Sequence, residues 1–425
     1  MKKPPHCTRH RRQTIHTGLV AAFLATAGVV ASEQSAHADG LVRCWGYNAF
    51  GQCDTPADLG MCSRVAGGAS HTVALQSDGT VRGWGENNYG QCNTPADLGP
   101  CTAIACGGQF SMAIRIDGAV RCWGRNHYGQ CYAPTDLGSC LAVAGGDEHA
   151  IAIRSDGTVR CWGSNGRGQC NIPTDLGPCS SVEGGNYHSI ALRIDGTVRG
   201  WGENTYGQCN TPNGLGQCIG ISHGGQADQS IALRSDGVVQ GWGYNFWGQC
   251  NAPTDLGTCS SVAGGYGHII ALRTDGVVRC WGYNSSGQCN TPSDLGTCTS
   301  IAGGGRHTIV ITEIDTDGDG RPDSVDNCPT IANPTQADCN NNSTGDVCEL
   351  AAGAPDFNHD TIPDACQCLA DLFIDHQVNG ADLGALLAFW GPVNPALPSA
   401  DINRDGNVNG ADLGYLLNAW GPCTN

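Results

Sequence analysis

Residues 84–122 read WGENNYGQCNTPADLGPCTAIACGGQFSMAIRIDGAVRC, one copy of a unit that fills most of this 425-residue chain. The leading tryptophan recurs every 39 residues, with one spacing of 41 residues, and marks seven copies: Trp45, Trp84, Trp123, Trp162, Trp201, Trp242 and Trp281. A fixed period of about 40 residues with short strand-like segments is typical of propellers and solenoids. We therefore expect the function to depend on the positions where the copies differ.

Each copy carries strand and turn signals without a helical period. In residues 156–163, DGTVRCWG, Asp-Gly is a tight-turn signal and the alternating residues after it favour a strand. A Gly-Gly bend followed by H-[ST]-[IV]-A-[LI]-R indicates two further short strands. Such small antiparallel blades cannot bury their faces alone, and radial stacking buries them. The predicted fold is an all-β seven-bladed propeller with short antiparallel blades over residues 39–312.

The two ends of the repeat region predict how the ring closes. Residues 39–42 begin a unit at its Asp-Gly turn, and residues 307–311 end the last unit one strand early. We expect the first strand to complete the last blade. An open solenoid would instead require polar capping units, and none is visible in the sequence.

Cysteines recur with the repeat and indicate an exported, disulfide-rich protein. Pairs nine residues apart predict seven disulfides within the repeats: Cys53–Cys62, Cys92–Cys101, Cys131–Cys140, Cys170–Cys179, Cys209–Cys218, Cys250–Cys259 and Cys289–Cys298. On this reading most of the remaining set are buried thiols: Cys44, Cys106, Cys122, Cys161 and Cys280.

The N-terminus has the pattern of a secretory signal peptide. A basic segment precedes the apolar run of residues 18–31, and Ala36-His37-Ala38 predicts cleavage after Ala38. Residues 39–425 then carry 17 Arg, no Lys and 38 acidic residues, a net charge of −21. This charge disfavours nucleic acid as a partner and suits Ca²⁺ as a cofactor. No later segment has the length of a transmembrane helix, and we expect a secreted, extracellular or cell-surface monomer.

The repeated segments W-G-x-N-x-x-G-Q and G-G-x-x-H-[ST]-x-A-L resemble the regulator of chromosome condensation repeat family. The short unit is also similar to propeller-type secreted inhibitors of β-lactamases. Both resemblances imply a propeller that serves as a binding scaffold, and neither implies one ligand. The histidines His71, His149, His188, His268 and His307 share one repeated position, which favours a scaffold role with hydrogen bonds between blades.

The variable loops are rich in aromatic residues and arginine, which interface centres favour. The predicted binding face consists of Tyr47, Phe50, Tyr89, Arg125, Tyr128, Tyr187, Tyr206, Tyr244, Trp247, Tyr266 and Tyr283. We expect an extracellular protein or glycan to bind there, without catalysis, although these residues are also compatible with merely tolerated loop substitutions. Two alternatives are an inhibitor of a secreted enzyme and a polysaccharide-degrading hydrolase, for which Asp147 and Glu148 are the best catalytic candidates.

Residues 313–366 form an Asp/Asn-rich segment that resembles thrombospondin type 3 repeats, which bind calcium. The first ligand run is Asp315, Asp317, Asp319, Asp323 and Asp326, with the backbone carbonyl of Arg321. Two further runs are Asp338, Asn340, Asn342 and Asp346, followed by Asp356, Asn358, Asp360 and Asp364. The competing interpretation is an acidic disordered linker. We also expect disulfides Cys339–Cys348 and Cys328–Cys366.

Residues 367–425 contain VNGADLGALLAFWGP and VNGADLGYLLNAWGP, two loop–helix units that resemble a small α-helical type I dockerin. The expected calcium ligands are Asp371, Asp375 and Asp382 in the first loop and Asp401, Asn403, Asp405, Asn407 and Asp412 in the second. The resemblance implies a cohesin-like receptor, although Gly-Ala pairs replace the hydroxyl residues that help dockerins select it. Cys368 and Cys423 flank the unit and could join its ends.

Overall fold

The computed structural model describes residues 39–223, 227–354, 356, 361–363, 368–373, 377–395 and 397–422. The predicted signal peptide lies outside these residues. The strands of the repeat region are β1 (Leu41–Gly46), β2 (Cys62–Gly67), β3 (His71–Gln76), β4 (Val81–Gly85), β5 (Cys101–Cys106), β6 (Phe110–Arg115), β7 (Val120–Gly124), β8 (Cys140–Gly145), β9 (His149–Arg154), β10 (Val159–Gly163), β11 (Cys179–Gly184), β12 (His188–Arg193), β13 (Val198–Gly202), β14 (Cys218–His223), β15 (Gln229–Arg234), β16 (Val239–Gly243), β17 (Cys259–Gly264), β18 (His268–Arg273), β19 (Val278–Gly282), β20 (Cys298–Gly303) and β21 (His307–Thr312).

These strands form three-stranded antiparallel sheets, here called blades, each with an inner, a middle and an outer strand. In the described part of the chain the blades are I (β2–β3–β4), II (β5–β6–β7), III (β8–β9–β10), IV (β11–β12–β13), V (β14–β15–β16), VI (β17–β18–β19) and VII (β20–β21–β1). Strand β1 pairs with β21, with Leu41 opposite Thr312 and Gly46 opposite His307. The prediction that the first strand completes the last blade is confirmed.

Neighbouring blades stack face to face and bury the middle strands. Each blade contacts the next along the chain, and β2 of blade I contacts β20 and β21 of blade VII. Val73, Ile151 and Ile270 on the middle strands are fully buried. The repeated tryptophan joins blades, since the Trp123 indole N–H donates to the Gln91 carbonyl oxygen at 2.9 Å. The hydrophobic faces that one blade cannot cover are thus covered by its neighbours.

The repeated histidines connect one blade to the next, as predicted. The Nε2 atoms of His71, His149 and His188 lie 3.0 Å from the hydroxyls of Ser111, Ser189 and Ser230. His268 and His307 contact Thr308 and Thr72 in the same way. In the two remaining blades Phe110 and Gln229 replace histidine, and the residues at the matching hydroxyl position are Ala150 and Ile269. The histidine is therefore present only where the next blade offers a hydroxyl.

The inner strands surround a central channel with a volume of about 880 Å³. Small residues line most of it, and Gly145 shows why: a Cβ there would lie 2.6 Å from the Cys106 carbonyl oxygen of the neighbouring blade. One ion pair, between His223 Nε2 and Glu183 Oε2 at 3.1 Å, joins blades IV and V within the channel wall. The close approach of the inner strands thus limits side-chain size around the axis.

The predicted cysteine pairing within the repeats is wrong. The disulfides are Cys44–Cys53, Cys122–Cys131, Cys161–Cys170 and Cys280–Cys289, with Cα–Cα distances of 4.9 to 5.0 Å. They join the outer strand to the loop that returns beside it. The second cysteine of each predicted pair instead begins an inner strand and is a buried free thiol, for example Cys62 and Cys101. Because both pairings have the same nine-residue separation, spacing could not distinguish them.

Three blades lack the cysteine before tryptophan and have glycine there: Gly83, Gly200 and Gly241. The opposing Cys92, Cys209 and Cys250 are free thiols. A Cβ added at Gly83 would lie 3.5 Å from the Cys92 Cβ, within the range found in disulfides. In these three blades, glycine therefore replaces the first cysteine of the disulfide and leaves the second cysteine without a partner.

We predict that Gly83→Cys forms a fifth disulfide of this type with Cys92. The free thiol count in denaturant should fall by one relative to the wild type, and stability should rise by roughly 2–3 kcal/mol from loop closure. The control is Gly83→Cys combined with Cys92→Ser, which cannot form the bond. A thiol count that rises by one in the single variant would contradict the prediction.

Beyond the repeats, the described residues contain short helices and strands. They are α1 (Asp346–Ala351), β22 (Gln377–Val378), α2 (Gly380–Ala388), β23 (Gly391–Pro392), a 3₁₀ helix (Pro398–Ala400), β24 (Asn407–Val408), α3 (Gly410–Asn418) and β25 (Gly421–Pro422). Strand β22 pairs with β25 and β23 with β24, while α2 contacts α3. Leu386 and Leu416 are buried in one shared core. No helix among the described residues is long and apolar enough to cross a membrane.

The remaining cysteine predictions are corrected in part. Cys328 bonds to Cys348, so neither Cys328–Cys366 nor Cys339–Cys348 forms. Cys339 and Cys368 are each disulfide-bonded as well. The predicted partners Cys366 and Cys423 lie outside the described residues.

Candidate functional site

The two sets of variable loops meet at one end of every blade. One set follows the outer strand and the other joins the inner and middle strands. In all seven blades a backbone N–H of the first donates to a carbonyl oxygen of the second at 2.8 to 2.9 Å: Tyr47 to Arg306, Glu86 to Ser70, Arg125 to Gln109, Ser164 to Glu148, Glu203 to Tyr187, Tyr244 to Asp228 and Tyr283 to Gly267. The antiparallel order of the strands therefore places all predicted binding residues on one face of the stacked blades.

An aromatic cluster occupies this face over blades IV to VI. It consists of Tyr206, Tyr244, Phe246, Trp247, Tyr266 and Tyr283. The Trp247 ring is central, with centroids 4.8 Å from Tyr283 and 5.4 Å from Tyr244. Phe246 is 77% exposed and Tyr206 is 52% exposed. The Arg306 guanidinium lies 5.7 Å from the Tyr283 centroid and borders the cluster.

The other predicted face residues form smaller groups. Tyr89 packs edge-on against His127, and the Arg125 guanidinium lies 5.6 Å from the Tyr89 centroid. Tyr47 and Phe50 contact each other with centroids 6.2 Å apart. Tyr128 is 53% exposed at the matching position of blade II. The structure thus brings five of the eleven predicted residues into one cluster, namely Tyr206, Tyr244, Trp247, Tyr266 and Tyr283.

A group of carboxylates, here called the acidic group, surrounds Tyr187 on the same face. Burial, followed by the carboxylates of Asp147, Glu148 and Asp228, raises the pKa of Tyr187. Burial also raises the pKa of Glu148, whose Oε1 lies 3.1 Å from Arg125 NH1, and the pKa of Asp228. The two catalytic candidates Asp147 and Glu148 are therefore adjacent in one turn, and Glu148 is held by an arginine.

Sequence reasoning left out several residues that the structure adds to this face. Phe246, Arg306 and Asp228 lie on this face but were not part of the predicted binding face. Arg167 and Glu203 are a further addition, with NH1 and Oε2 3.3 Å apart. The sequence did contain a sign of these residues' role, because each occupies a position that differs among the copies. What the sequence lacked was the contact between loops of different blades.

The first calcium run forms a compact carboxylate group. Asp315, Asp317 and Asp319 each direct an oxygen to within 4.8 Å of the others. Asp317 Oδ2 and Asp326 Oδ2 are shielded from solvent without a hydrogen-bond partner among the described residues. Burial, then the carboxylates of Asp319, Asp326 and Asp315, raises the pKa of Asp317. Asp315 and Asp319 accept hydrogen bonds from backbone N–H groups, so the two oxygens without a donor are those of Asp317 and Asp326. Such oxygens beside further carboxylates fit a hard cation such as Ca²⁺. Asp323 instead accepts hydrogen bonds from Thr316.

The second ligand run is a loop that is stabilised by hydrogen bonds to its own side chains. Asp338 accepts from the backbone N–H groups of Asn342 and Ser343. Glu349, which sequence reasoning missed, accepts from the side-chain amides of Asn340 and Asn342. Asp346 accepts from the Cys339 backbone N–H at 2.9 Å. In the third run only Asp356 is described; Asn358, Asp360 and Asp364 lie outside the described residues.

The two loop–helix units share one arrangement at their last acidic residue. Asp382 Oδ1 accepts from the Leu372 N–H and Asp412 Oδ1 from the Ile402 N–H, both at 2.8 Å. Asn379 and Asn409 cap helices α2 and α3. In the second loop, Asp401, Asn403 and Asp405 accept from loop N–H groups, including those of Asp405, Gly406 and Asn407. In the first loop, Asp371 is described, whereas Asp375 lies outside the described residues.

Both helical units expose a matching pair of apolar side chains. Leu387 and Trp390 follow the first unit's buried leucine, and Leu417 and Trp420 occupy the equivalent places in the second. All four are at least half exposed. The duplicated LLAFWGP and LLNAWGP segments contain both apolar pairs. The sequence-based prediction missed them because it considered only the metal ligands of the loops.

Comparisons with known proteins agree with the repeat architecture. The regulator of chromosome condensation (RCC1) repeat profile matches residues 62–91, 101–130, 141–169, 179–208 and 259–288. The thrombospondin type 3 repeat profile matches residues 312–336. No curated protein sequence matches the chain.

Solved structures with a similar fold include Prp20p from Saccharomyces cerevisiae, 16% identical with a TM-score of 0.58, covering 68% of this chain and 97% of that chain. Prp20p is described by its binding to Gsp1p and histones. Human WBSCR16 is 20% identical with a TM-score of 0.55, and the match covers 65% of this chain and 99% of that chain. At this identity the likeness concerns the fold alone. Five segments of the chain thus match the regulator of chromosome condensation repeat profile, and its three-stranded blades are similar in fold to these solved structures.

Proposed function

We propose that this protein is a secreted recognition protein whose propeller binds an extracellular protein or glycan without catalysis. The aromatic cluster around Trp247 carries the proposal. Aromatic residues and arginine are enriched at the energetic centres of interfaces. Here they lie together at variable positions on a face whose supporting strands are otherwise repeated. The seven sheets suggest a closed seven-bladed ring in residues 39–312.

Export is part of the same proposal. The basic and apolar N-terminal segments and the cleavage pattern at Ala38 indicate secretion. The five disulfides with both partners described suit an oxidising compartment. A secreted or cell-surface monomer with a net negative charge would not favour nucleic acid.

We further propose that residues 313–366 form a calcium-stiffened spacer and residues 367–425 a dockerin-like docking domain. The unpartnered carboxylate oxygens of Asp317 and Asp326 support the first site. The matching arrangement of Asp382 and Asp412 supports two related loops. The exposed Leu387, Trp390, Leu417 and Trp420 supply an apolar surface with which the tail could dock to a cohesin-like receptor or a surface.

Inhibition of a secreted enzyme is a second candidate that uses the same aromatic cluster, and it predicts a tight one-to-one complex. A polysaccharide-degrading activity is the third. The observation in its favour is the acidic group around Tyr187. Turnover of a glycan that disappears in Asp147→Asn or Glu148→Gln would support the enzyme and exclude the recognition proposal.

The recognition proposal is tested with the full chain from residue 39. Immobilised protein is exposed to proteins of the culture medium and, separately, to a glycan array. We expect Trp247→Ala to lower retention of the bound component by at least about tenfold, as for a buried interface aromatic. The control is Ile116→Ala, which removes an exposed apolar side chain from the turn between β6 and β7 at the opposite end of blade II. Equal losses in both variants, or no loss in either, would contradict the proposed face.

A further inference from the structure

The aromatic cluster and the acidic group are joined through one residue. The Tyr244 backbone N–H donates to the Asp228 carbonyl oxygen at 2.9 Å. The Asn186 backbone N–H donates to the Ala227 carbonyl oxygen at 2.9 Å, so the loop that carries Asp228 lies against the loop that carries Tyr187. In agreement, the Asp228 carboxylate contributes to the raised pKa values of Tyr187 and Tyr244, after burial and other neighbouring groups. Asp228 therefore lies between the carboxylates of blade III and the aromatic rings of blades V and VI. The two features form one continuous surface.

The charges on this surface are not balanced. Arg125 is paired with Glu148, and Arg167 with Glu203. The Asp228 carboxylate accepts a hydrogen bond from the Asn186 side chain, but among the described residues its Oδ1 atom is buried without a partner. A carboxylate oxygen shielded from water and lacking a donor is costly, and a cationic donor from outside would relieve that cost.

The apolar part of the surface is arranged to receive a side chain. Tyr244, Trp247, Tyr266 and Tyr283 are half-buried and pack against one another, so their positions are fixed. Phe246 packs beside Trp247 and is 77% exposed to solvent. Rings held in place by their neighbours lose little conformational freedom when a partner covers them.

We infer that this surface binds a short segment of a secreted protein that directs a basic side chain to Asp228 and an adjacent apolar side chain to Trp247. The inference rests on the proposed recognition function and specifies its partner. Charge complementarity favours this occupant, because the chain is acidic overall, with a net charge of −17. The Asp/Asn-rich tail of the chain itself is excluded as the occupant by its negative charge.

Arg306 sets the orientation of that segment. Its guanidinium lies 5.9 Å from the Tyr266 centroid and 5.7 Å from the Tyr283 centroid. That edge of the cluster is therefore already positive and repels a second cation. The basic side chain must lie on the opposite edge, where Tyr206 and Tyr244 meet Asp228 and Glu203.

The test uses an array of synthetic twelve-residue peptides with the full chain from residue 39. Each peptide has one Trp or Leu at a fixed position, flanked by Arg, Ser or Glu. We expect Arg peptides to bind at least about tenfold more tightly than the matching Ser peptides, because a desolvated charge pair with Asp228 would add that much affinity. Asp228→Asn should remove most of that preference and leave binding of Ser peptides unchanged. Trp247→Ala should weaken binding of all peptides, and Ile116→Ala none.

The outcomes separate this inference from the proposed function. A preference for Glu peptides, or no preference, that still depends on Trp247 would overturn the basic partner and leave the recognition face standing. Retention of glycans but no peptide would also overturn the inference and retain recognition. Absence of binding to every peptide and glycan would count against both. Unchanged thermal unfolding of each variant verifies that a lost signal reflects the surface and not the fold.

Discussion

Lowering the pH from 7 to 5 is expected to destabilise the repeat region strongly. Five buried histidines carry the effect, because burial lowers their pKa values to about 4 for His71 and His268 and to about 3 for His149, His188 and His307. In the unfolded chain the same histidines have a pKa of about 6.5. Between these values the unfolded state binds more protons than the folded state, so stability falls as the pH falls.

The expected magnitude is large. At pH 5 each such histidine shifts the free energy of unfolding by roughly 2 kcal/mol relative to pH 7, and five together by on the order of 10 kcal/mol. The full stability is present above about pH 6.5 and is lost progressively as the pH approaches the folded-state values. Urea unfolding midpoints measured at pH 7, 6 and 5 check this, with chevron or refolding data to establish reversibility. A midpoint that stays constant over this range would contradict the prediction.

The chain itself supplies a control for the histidine effect. Phe110 in blade II lies opposite Ala150 in blade III, at the positions that His149 and Ser189 occupy one blade later. His149→Phe combined with Ser189→Ala therefore copies a pair that the scaffold already contains. We expect the double variant to fold and to reduce the pH dependence by about a fifth, since one of five titrating groups is removed. Ser189→Ala alone should keep the dependence and leave the His149 ring without its hydroxyl partner.

Removal of calcium is expected to open the tail while the blades stay folded. Extracellular calcium modules have dissociation constants of about 10⁻⁴ to 10⁻³ M. At 10 mM Ca²⁺ each such site would contribute about 1.4 to 2.7 kcal/mol to the stability of its loop. Chelation should therefore accelerate proteolysis of residues 313–425 about 10- to 100-fold. The fragment covering residues 39–312 should remain intact, because its core consists of packed blades without the predicted ligands.

A single substitution separates a calcium effect from a general effect of the chelator. Asp405 accepts from the side-chain amides of Asn403 and Asn409 and from the Asn407 backbone N–H. Asp405→Asn should make residues 401–412 susceptible to cleavage even in 10 mM Ca²⁺. Asp97→Asn, which removes an exposed partner of Arg121 on the blades, should have no such effect. Equal protease resistance of residues 313–425 with and without chelator would refute calcium ordering of the tail.

Much of the histidine network could have been read from the sequence. From blade I to blade VII, the residue after the histidine position is Thr72, Ser111, Ala150, Ser189, Ser230, Ile269 and Thr308. Wherever a blade has the histidine, the next blade has Ser or Thr at this position. The two blades with Phe110 and Gln229 instead of histidine are followed by blades with Ala150 and Ile269. Recognising the rule requires knowing that a side chain contacts the following blade, which the period alone does not state.

The repeat itself determined the blades, the positions of their turns and the closure of blade VII by β1. These features follow from local signals, because Asp-Gly turns and alternating residues act within a few positions of the chain. The tertiary structure decided the cysteine pairs, since Cys53 has Cys44 and Cys62 at the same separation and only the path of the loop selects between them. It likewise decided that the loop carrying Asp228 lies against the loop carrying Tyr187 in the preceding blade. Contacts between blades join residues about 40 positions apart, and side-chain geometry in the stacked ring fixes them rather than any local sequence signal.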